Sequence, residues 1–329
     1  LGTVYATSQA LGTDGFDDEA NVNIGVYADS SGVFKISEGL TTEAGALKHE
    51  TYRDSYRLVF NEFKDFAELK RKDHIHIADV PRHLLVQGEN NKVLDDKSRS
   101  FSQAVFWPLK HVYGAYNTSY ASVYGNWARN YDAVADKFIY TPFSAIAAAT
   151  YANTDSTFQP WFAPAGFTRG RFSGAVNLAL KPSQRQRDLL YRIAVNPVTQ
   201  FPNEGFAIFG QKTLFKKPSA FDRVNVRRLF LYLEKIVRNT MKFYVFEPNT
   251  LLTRTQVINN LTPIFEQAKN TEGLFDYLIV CDERNNTPDV IDQNELVVDI
   301  YLKPVRAAEF ILVNFFATRT GQDFNELLS

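Results

Sequence analysis

The sequence contains one cysteine and one methionine among its 329 residues. A single cysteine excludes an internal disulfide framework. Cys281 stands in an apolar segment, where a small buried hydrophobe is expected rather than a nucleophile. No run of about 18 apolar residues occurs, so we expect no membrane insertion. Since the chain begins at Leu1, we expect it to be a fragment of a longer protein whose upstream part is missing.

The sequence also lacks the short motifs of common enzymes and nucleotide-binding proteins. It has no G-x-x-x-x-G-K-[ST] or G-x-G-x-x-G phosphate loop and no G-x-S-x-G nucleophile elbow. His74 and His76 share one face of a predicted strand, with Asp73 and Asp79 nearby, but two histidines without further ligands are a weak metal signal. Carboxylates also cluster around one predicted turn, at Asp282, Glu283, Asp289 and Asp292. None of these groups identifies a reaction, so we predict no catalytic residues, no cofactor and no metal.

The charges are unevenly distributed along the chain, although the formal net charge is only −1. The formal charge, counted as lysine and arginine less aspartate and glutamate, is −3 over residues 1–180, +9 over 181–242 and −7 over 243–329. A strongly basic segment attracts an acidic partner over about a Debye length. The pattern predicts such a partner without identifying it.

The basic segment contains an amphipathic helix, predicted at about 224–240. Apolar residues recur there at three- and four-residue intervals, and basic residues occupy the opposite side. The predicted contact face consists of Arg227, Arg228, Leu231, Lys235, Arg238 and Lys242. No nucleic-acid motif surrounds the helix, and a membrane-surface helix would need a larger apolar face. An acidic protein surface is therefore the favoured partner, and a purely solvated basic face is the alternative.

Alternating strand and helix patterns predict an α/β (mixed α+β) fold with two α/β domains and mixed sheets. We place the domains at 1–178 and 179–329. In the first, we predict a helix at 52–66, strands at 73–80, 119–127 and 136–141, and a helix at 142–155, with a surface insertion at 88–100. In the second, we predict a helix at 249–270 and strands at 205–214, 242–248, 275–283, 295–305 and 307–318.

Five separated segments resemble the tail sheath proteins of contractile-tailed phages, and the same core is similar to the sheaths of R-type pyocins and type VI secretion. These segments are YANTDSTFQPWFAPAG (151–166), AVNPVTQFPNEGFAIFGQKTL (194–214), VNVRRLFLYLEKIV (224–237), KFYVFEPN (242–249) and LKPVRAAEFILVNF (302–315). The resemblance covers roughly residues 105–320. The sequence departs from the family pattern at Ser156 and Thr157, where relatives often carry arginine, and in the insertion at 88–103, and we take both as marks of a subfamily.

The resemblance implies a structural protein of the virion, with no enzymatic activity. Such subunits stack as hexameric rings into a helical contractile tail sheath around the tail tube, and contraction drives the tube through the host envelope for genome ejection. The implied partners are other sheath subunits, the tail tube protein, and the baseplate and tail terminator proteins, without nucleic acid. Residues 1–178 would be a middle sheath domain and 179–329 the conserved C-terminal domain that faces the tube, assembled in the host cytoplasm. The alternative is an α/β enzyme or nucleotide-binding protein with an unrecognised site.

The apolar segment near the chain end is a candidate for inter-subunit contact. In sheaths, terminal arms of this kind add to a neighbour's sheet by strand augmentation. The predicted inter-subunit strand consists of Glu309, Phe310, Ile311, Leu312, Val313, Asn314 and Phe315. The alternative is that it forms an ordinary edge strand of its own sheet.

Overall fold

The computed structural model describes residues 26–28, 34–36, 58–87, 92–93, 101 and 105–309. The described strands are β1 Val26–Ala28, β2 Phe34–Ile36, β3 His76–Asp79, β4 Val86–Gln87, β5 Lys92–Val93, β6 Ala121–Tyr124, β7 Trp127–Asp132, β8 Lys137–Pro142, β9 Asn177–Leu178, β10 Val195–Asn196, β11 Val198–Phe201, β12 Gly205–Ile208, β13 Leu274–Val280 and β14 Asp299–Pro304. The described α-helices are α1 Trp107–Tyr113, α2 Ser144–Thr157, α3 Gly166–Arg169, α4 Gln184–Arg192, α5 Val224–Met241, α6 Leu251–Asn270 and α7 Pro288–Asp292. Residues 58–65 are also helical and continue into a π-helix, Phe66–Arg71.

The first core surrounds a parallel sheet in the order β10-β6-β3. Every residue of β6 is buried, as is typical of parallel strands covered on both faces. Leu109 and Val112 of α1 belong to the same apolar cluster as Val123 of β6 and Val195 of β10. The cluster thus joins residues on both sides of the predicted boundary at 178/179, and the division into two domains stays a prediction.

A second core forms beside an antiparallel sheet in the order β8-β7-β9. Phe143, Ala147 and Tyr151, which lie at or in α2, pack there with Ala128 of β7 and Val198 of β11. Because α2 leaves directly from the end of β8, its buried face is held against this core.

The third core lies mainly in the C-terminal part of the chain, with Trp161 added from the segment after α2. Leu229 and Leu233 of α5 pack with Val257, Leu261 and Phe265 of α6. β13 and β14 form a separate antiparallel hairpin whose inner face packs on α6, where Phe265 stacks on Tyr277 with ring centroids 5.4 Å apart. Helices packed beside small sheets confirm the predicted mixed α/β fold class.

Helix boundaries follow local capping chemistry. Ser183 precedes α4 and forms a capping box, in which its hydroxyl accepts from the Gln186 backbone N–H and the Gln186 side chain accepts from the Ser183 N–H. Thr250 caps α6 by accepting from the backbone N–H of Thr253. Thr250 stands immediately before the apolar periodic run of α6, which is why the helix predicted at 249–270 begins close to the observed start. The helix α4 was not predicted from the sequence.

Several predicted strands are shorter than expected, and one is wrong. β12 ends at Ile208 and β14 begins at Asp299, inside the predicted 205–214 and 295–305. The predicted strand at 242–248 is instead a 3₁₀ turn, Lys242–Tyr244, followed by irregular chain. Alternating aromatic and aliphatic residues resembled a strand there, but Phe246 has φ 73°, a left-handed conformation that interrupts extended backbone.

Candidate functional site

The basic face predicted on α5 divides into a buried half and an exposed half. Arg227 and Arg228 are only 7% and 8% exposed, and Leu231 is 8% exposed. Lys235 and Arg238, further along the helix, are exposed. The prediction that Arg227, Arg228 and Leu231 lie on an exposed contact face is therefore wrong.

Arg227 is buried by aromatic residues from other parts of the chain. Its guanidinium carbon lies 4.2 Å from the ring centroid of Tyr120 and 4.3 Å from that of Phe221. Its Nη2 donates a hydrogen bond to the hydroxyl of Ser119. Two aromatic faces and a hydroxyl replace part of the water that this cation would otherwise bind.

Arg228 joins α5 to α2. Its Nη2 donates to the carboxylate of Asp155, and its guanidinium lies 4.6 Å from the ring centroid of Tyr151. The Tyr151 hydroxyl is 2.6 Å from the Tyr124 hydroxyl, and both groups are buried. Burial raises the pKa of both tyrosines, so both remain neutral hydrogen-bonding groups at physiological pH. Arg228 therefore holds α5 to α2 inside the molecule.

The exposed half of the predicted face continues into an apolar loop. Lys235, Arg238 and Lys242 have no ion pair with a carboxylate in the described part of the chain. The next residues include Phe243, which is 84% exposed, and Phe246, which is fully exposed. The sequence pattern does not indicate this loop, because its alternating aromatic residues resemble a strand. Three cations beside two exposed aromatic side chains form the candidate contact surface, defined here by Lys235, Arg238, Lys242, Phe243 and Phe246.

The β13–β14 hairpin is the second candidate surface. Within the described ranges, neither outer edge of the hairpin pairs with another strand. Leu278 and Tyr301 are partners in its register, and each is more than half exposed on the face away from α6. A two-stranded sheet with unpaired edges and an uncovered apolar face is marginally stable alone, and it offers main-chain groups for strand addition.

The predicted inter-subunit strand can be followed only to Glu309. Residues 307–309 are not in a strand, and Phe310, Ile311, Leu312, Val313, Asn314 and Phe315 lie outside the described residues. Glu309 binds Arg223 through two bonds, Nε to Oε1 at 2.5 Å and Nη2 to Oε2 at 3.0 Å. Gln211 also donates to Oε1 at 3.4 Å. These contacts tie the chain after β14 to the residues that precede α5.

The histidines and the cysteine noted in the sequence are paired or buried within the fold. The His74 ring nitrogen Nδ1 lies 2.8 Å from the Asp73 carboxylate, whereas His76 is buried against Phe60 and Phe63. In the part of the chain that the structure describes, no three His, Cys, Asp or Glu side chains are grouped to hold a metal. Cys281 is buried, and burial raises the pKa of its thiol. None of the helices among the described residues has both the length and the apolar character needed to cross a bilayer.

The chain resembles known proteins in both sequence and fold. The phage tail sheath C-terminal domain matches residues 216–318. A tail sheath protein of Vibrio phage KVP40 is 41% identical over 212 residues, covering 64% of this chain and 32% of the relative. The chain thus matches about a third of the length of that relative.

Two solved structures show the same fold. The sheath complex of an extracellular contractile injection system, PVC, in the contracted state is 28% identical, with a TM-score of 0.57 over 66% of this chain and 60% of that chain. A chain of the anti-feeding prophage baseplate is 21% identical, with a TM-score of 0.62 over 82% of this chain and 66% of that chain. At this lower identity, the second match supports the fold alone.

Proposed function

We propose that the chain is part of a structural subunit of a contractile tail sheath, from the premise that its residues 216–318 match the phage tail sheath C-terminal domain. The subunit polymerises as stacked hexameric rings around a tail tube and contracts to drive the tube through the host envelope. The observation that carries the proposal is the 41% identity over 212 residues to a tail sheath protein. The match in fold to a contracted sheath complex supports it independently.

In this proposal the protein is not an enzyme and needs no cofactor or metal. Residues 1–178 belong to a middle domain and 179–329 to the conserved C-terminal domain. The partners are other sheath subunits, the tail tube protein, and the baseplate and terminator proteins. The protein assembles in the host cytoplasm and resides in the virion tail.

The tube contact is proposed at the exposed surface of Lys235, Arg238, Lys242, Phe243 and Phe246. Exposed ion pairs are each worth only about 0–1 kcal/mol. Repetition over many subunits makes such contacts collectively strong through multivalency. Each single contact stays weak enough to be released when the sheath contracts. The aromatic side chains add apolar area that single charges lack.

The β13–β14 hairpin is proposed as the sheet that receives a strand from a neighbouring subunit. Its two unpaired edges, in the described part of the chain, and its exposed Leu278 and Tyr301 support this role. The strand that this chain supplies in turn is proposed to begin at Glu309 and to include Phe310–Phe315. Because Arg223 holds Glu309, the donated segment leaves its own domain from a fixed point.

Electron microscopy of the full-length protein tests the proposal. After exhaustive treatment with EDTA and without nucleotide, we expect cylinders or polysheaths in negative stain. Monomers that assemble only when ATP or a divalent ion is added would contradict the proposal and favour a nucleotide- or metal-dependent protein.

A further inference from the structure

A cavity of about 390 Å³ lies between α1, the end of α4 and the segment that precedes α5. Its wall combines apolar and aromatic side chains with five cations and one carboxylate, that of Asp222. The cations are Lys110, Arg192, Lys212, Lys216 and Arg223. Apart from Arg223, which also holds Glu309, none of these residues takes part in the surfaces proposed above for tube contact or strand addition.

Only one of the five cations has a carboxylate partner in the described part of the chain. Arg223 pairs with Asp222 at 2.9 Å and with Glu309 at 2.5 Å. Lys212 donates to the carbonyl oxygen of Tyr191 at 2.9 Å, and Lys216 donates to a carbonyl oxygen as well. Carbonyl oxygens satisfy the hydrogen bonds of these ammonium groups but leave their charges uncompensated.

The positive charge is partly removed from water. Burial lowers the pKa of Lys212, and the nearby positive charge of Arg223 lowers it further. An anion in the cavity would offset this cost, and the apolar wall would strengthen the attraction by excluding water. The cavity therefore favours an anionic occupant.

An acidic turn of suitable form lies elsewhere on the same chain, over residues 282–299. It carries six carboxylates against one cation, Arg284. Four of them, Glu283, Asp289, Asp292 and Glu295, are exposed and have no ion pair within the described residues.

The acidic turn is rigid because one buried side chain ties its two ends together. Asn286 accepts a hydrogen bond from the Val297 backbone N–H and donates one to the Val297 carbonyl, both at 2.9 Å. Asp289 and Asp292 lie on the single-turn helix α7 within it. A turn held in one conformation loses little entropy when it binds.

We propose that the basic cavity receives the acidic turn of a second copy of this chain. Charge complementarity supports this occupant, since the +9 zone and the −7 zone of one chain are opposite in sign. The two surfaces differ, as the heterologous contacts of an open helical assembly require. The cavity has the volume of a small ligand site, so it admits the side chains of a turn but not a folded domain. The inference rests on the proposed function and names one contact within that assembly.

Charge reversal in the full-length protein tests the contact. The pocket variant carries Lys110→Glu, Arg192→Glu and Lys216→Glu. The turn variant carries Asp289→Lys, Asp292→Lys and Glu295→Lys. Each is expected to keep the wild-type circular dichroism spectrum and to raise the critical concentration for polymerisation, measured by sedimentation, at least about tenfold, because like charges then meet.

Rescue distinguishes a specific contact from a general charge effect. A single chain that carries all six substitutions places opposite charges together at every contact, and an equimolar mixture of the two variants does so wherever the two variants alternate. Both are expected to polymerise within about threefold of the wild-type critical concentration. The surface control variant, Lys137→Glu, Lys181→Glu and Arg185→Glu, changes the net charge equally at exposed residues outside the cavity, and is expected to polymerise normally.

The possible results separate the inference from the proposed function. If the wild-type protein does not polymerise, the proposed function fails and the contact fails with it. If the wild type polymerises and the pocket variant does so equally well, only the inference is wrong. If the pocket variant is blocked but neither rescue restores assembly, the cavity binds another anion, such as phosphate or a different protein, and the inference is also wrong.

Discussion

Replacing Asp79 with asparagine is expected to stabilise the protein at neutral pH and to have little effect near pH 4. Asp79 is 2% exposed at the end of β3, and its Oδ1 accepts a hydrogen bond of 2.7 Å from the backbone N–H of Ser144 at the start of α2. Burial raises the pKa of Asp79 from 3.8 to about 6, although the Ser144 bond opposes this shift. The asparagine amide of the variant can still accept the Ser144 bond but cannot ionise.

The sign and size of the effect follow from proton linkage. The folded protein holds the Asp79 proton up to about pH 6, whereas the unfolded chain releases it near pH 3.8. The contribution of Asp79 to the unfolding free energy is therefore fully present below pH 3.8 and is lost as the pH rises through 6. A shift of about two pKa units corresponds to about 3 kcal/mol. The unfolding free energy of Asp79→Asn relative to wild type is thus expected to increase by about 3 kcal/mol between pH 4 and pH 7.

His76, on the same strand, gives stability the opposite dependence on pH. It is 9% exposed, and burial lowers its pKa from 6.5 to about 4. The stability that neutral His76 contributes is complete above pH 6.5 and is lost as the pH falls towards 4. The difference between His76→Gln and wild type should therefore fall by about 3 kcal/mol as the pH rises from 4 to 7. In the wild type, the two effects largely cancel within this window.

Urea unfolding followed by tryptophan fluorescence measures both differences. Trp127 is a local reporter, since its indole N–H donates to the carbonyl oxygen of Val80 directly after β3. Asp292→Asn, at an exposed carboxylate, is the matched control and should change stability by less than about 0.5 kcal/mol at every pH. A flat difference between Asp79→Asn and wild type from pH 4 to pH 7 would refute the reasoning.

Three further predictions concern assembly and the buried arginine. Reversing Lys235, Arg238 and Lys242 to glutamate should leave the fold and the sheath–sheath contacts intact but block co-assembly on tubes. Higher salt should weaken co-assembly of the wild type in the same way. Normal tails from this variant, scored by electron microscopy beside the surface control variant, would contradict the tube contact. Truncation after Val305 should leave a soluble core that forms no cylinders, whereas an unfolded precipitate would show that the last segment belongs to its own core. Arg228→Met should lower the unfolding free energy by about 2 kcal/mol through loss of the hydrogen bond to α2, and an unchanged urea midpoint would count against this structural role.

The sequence alone determined the features that depend on local patterns. The apolar repeat of α5 predicted a helix at 224–240, and the structure has it at Val224–Met241. The strand predicted at 275–283 corresponds to β13, and the helix predicted at 249–270 corresponds to α6. The quoted segments resemble tail sheath proteins, and residues 216–318, which contain three of them, match the phage tail sheath C-terminal domain. These features were predictable because period, capping and short motifs are properties of neighbouring residues.

Only the tertiary structure decided which charged residues of α5 are available for contact. A helical pattern places Arg227 and Arg228 opposite the main apolar stripe, and nothing local distinguishes them from Lys235. Tyr120 and Asp155, which enclose the two arginines, are more than 70 residues away in the sequence. Arginine can be buried when aromatic faces and a carboxylate replace its water, and those groups come together only when the chain folds. The basic cavity could not be predicted for the same reason, because its five cations come from α1, the end of α4 and the segment before α5.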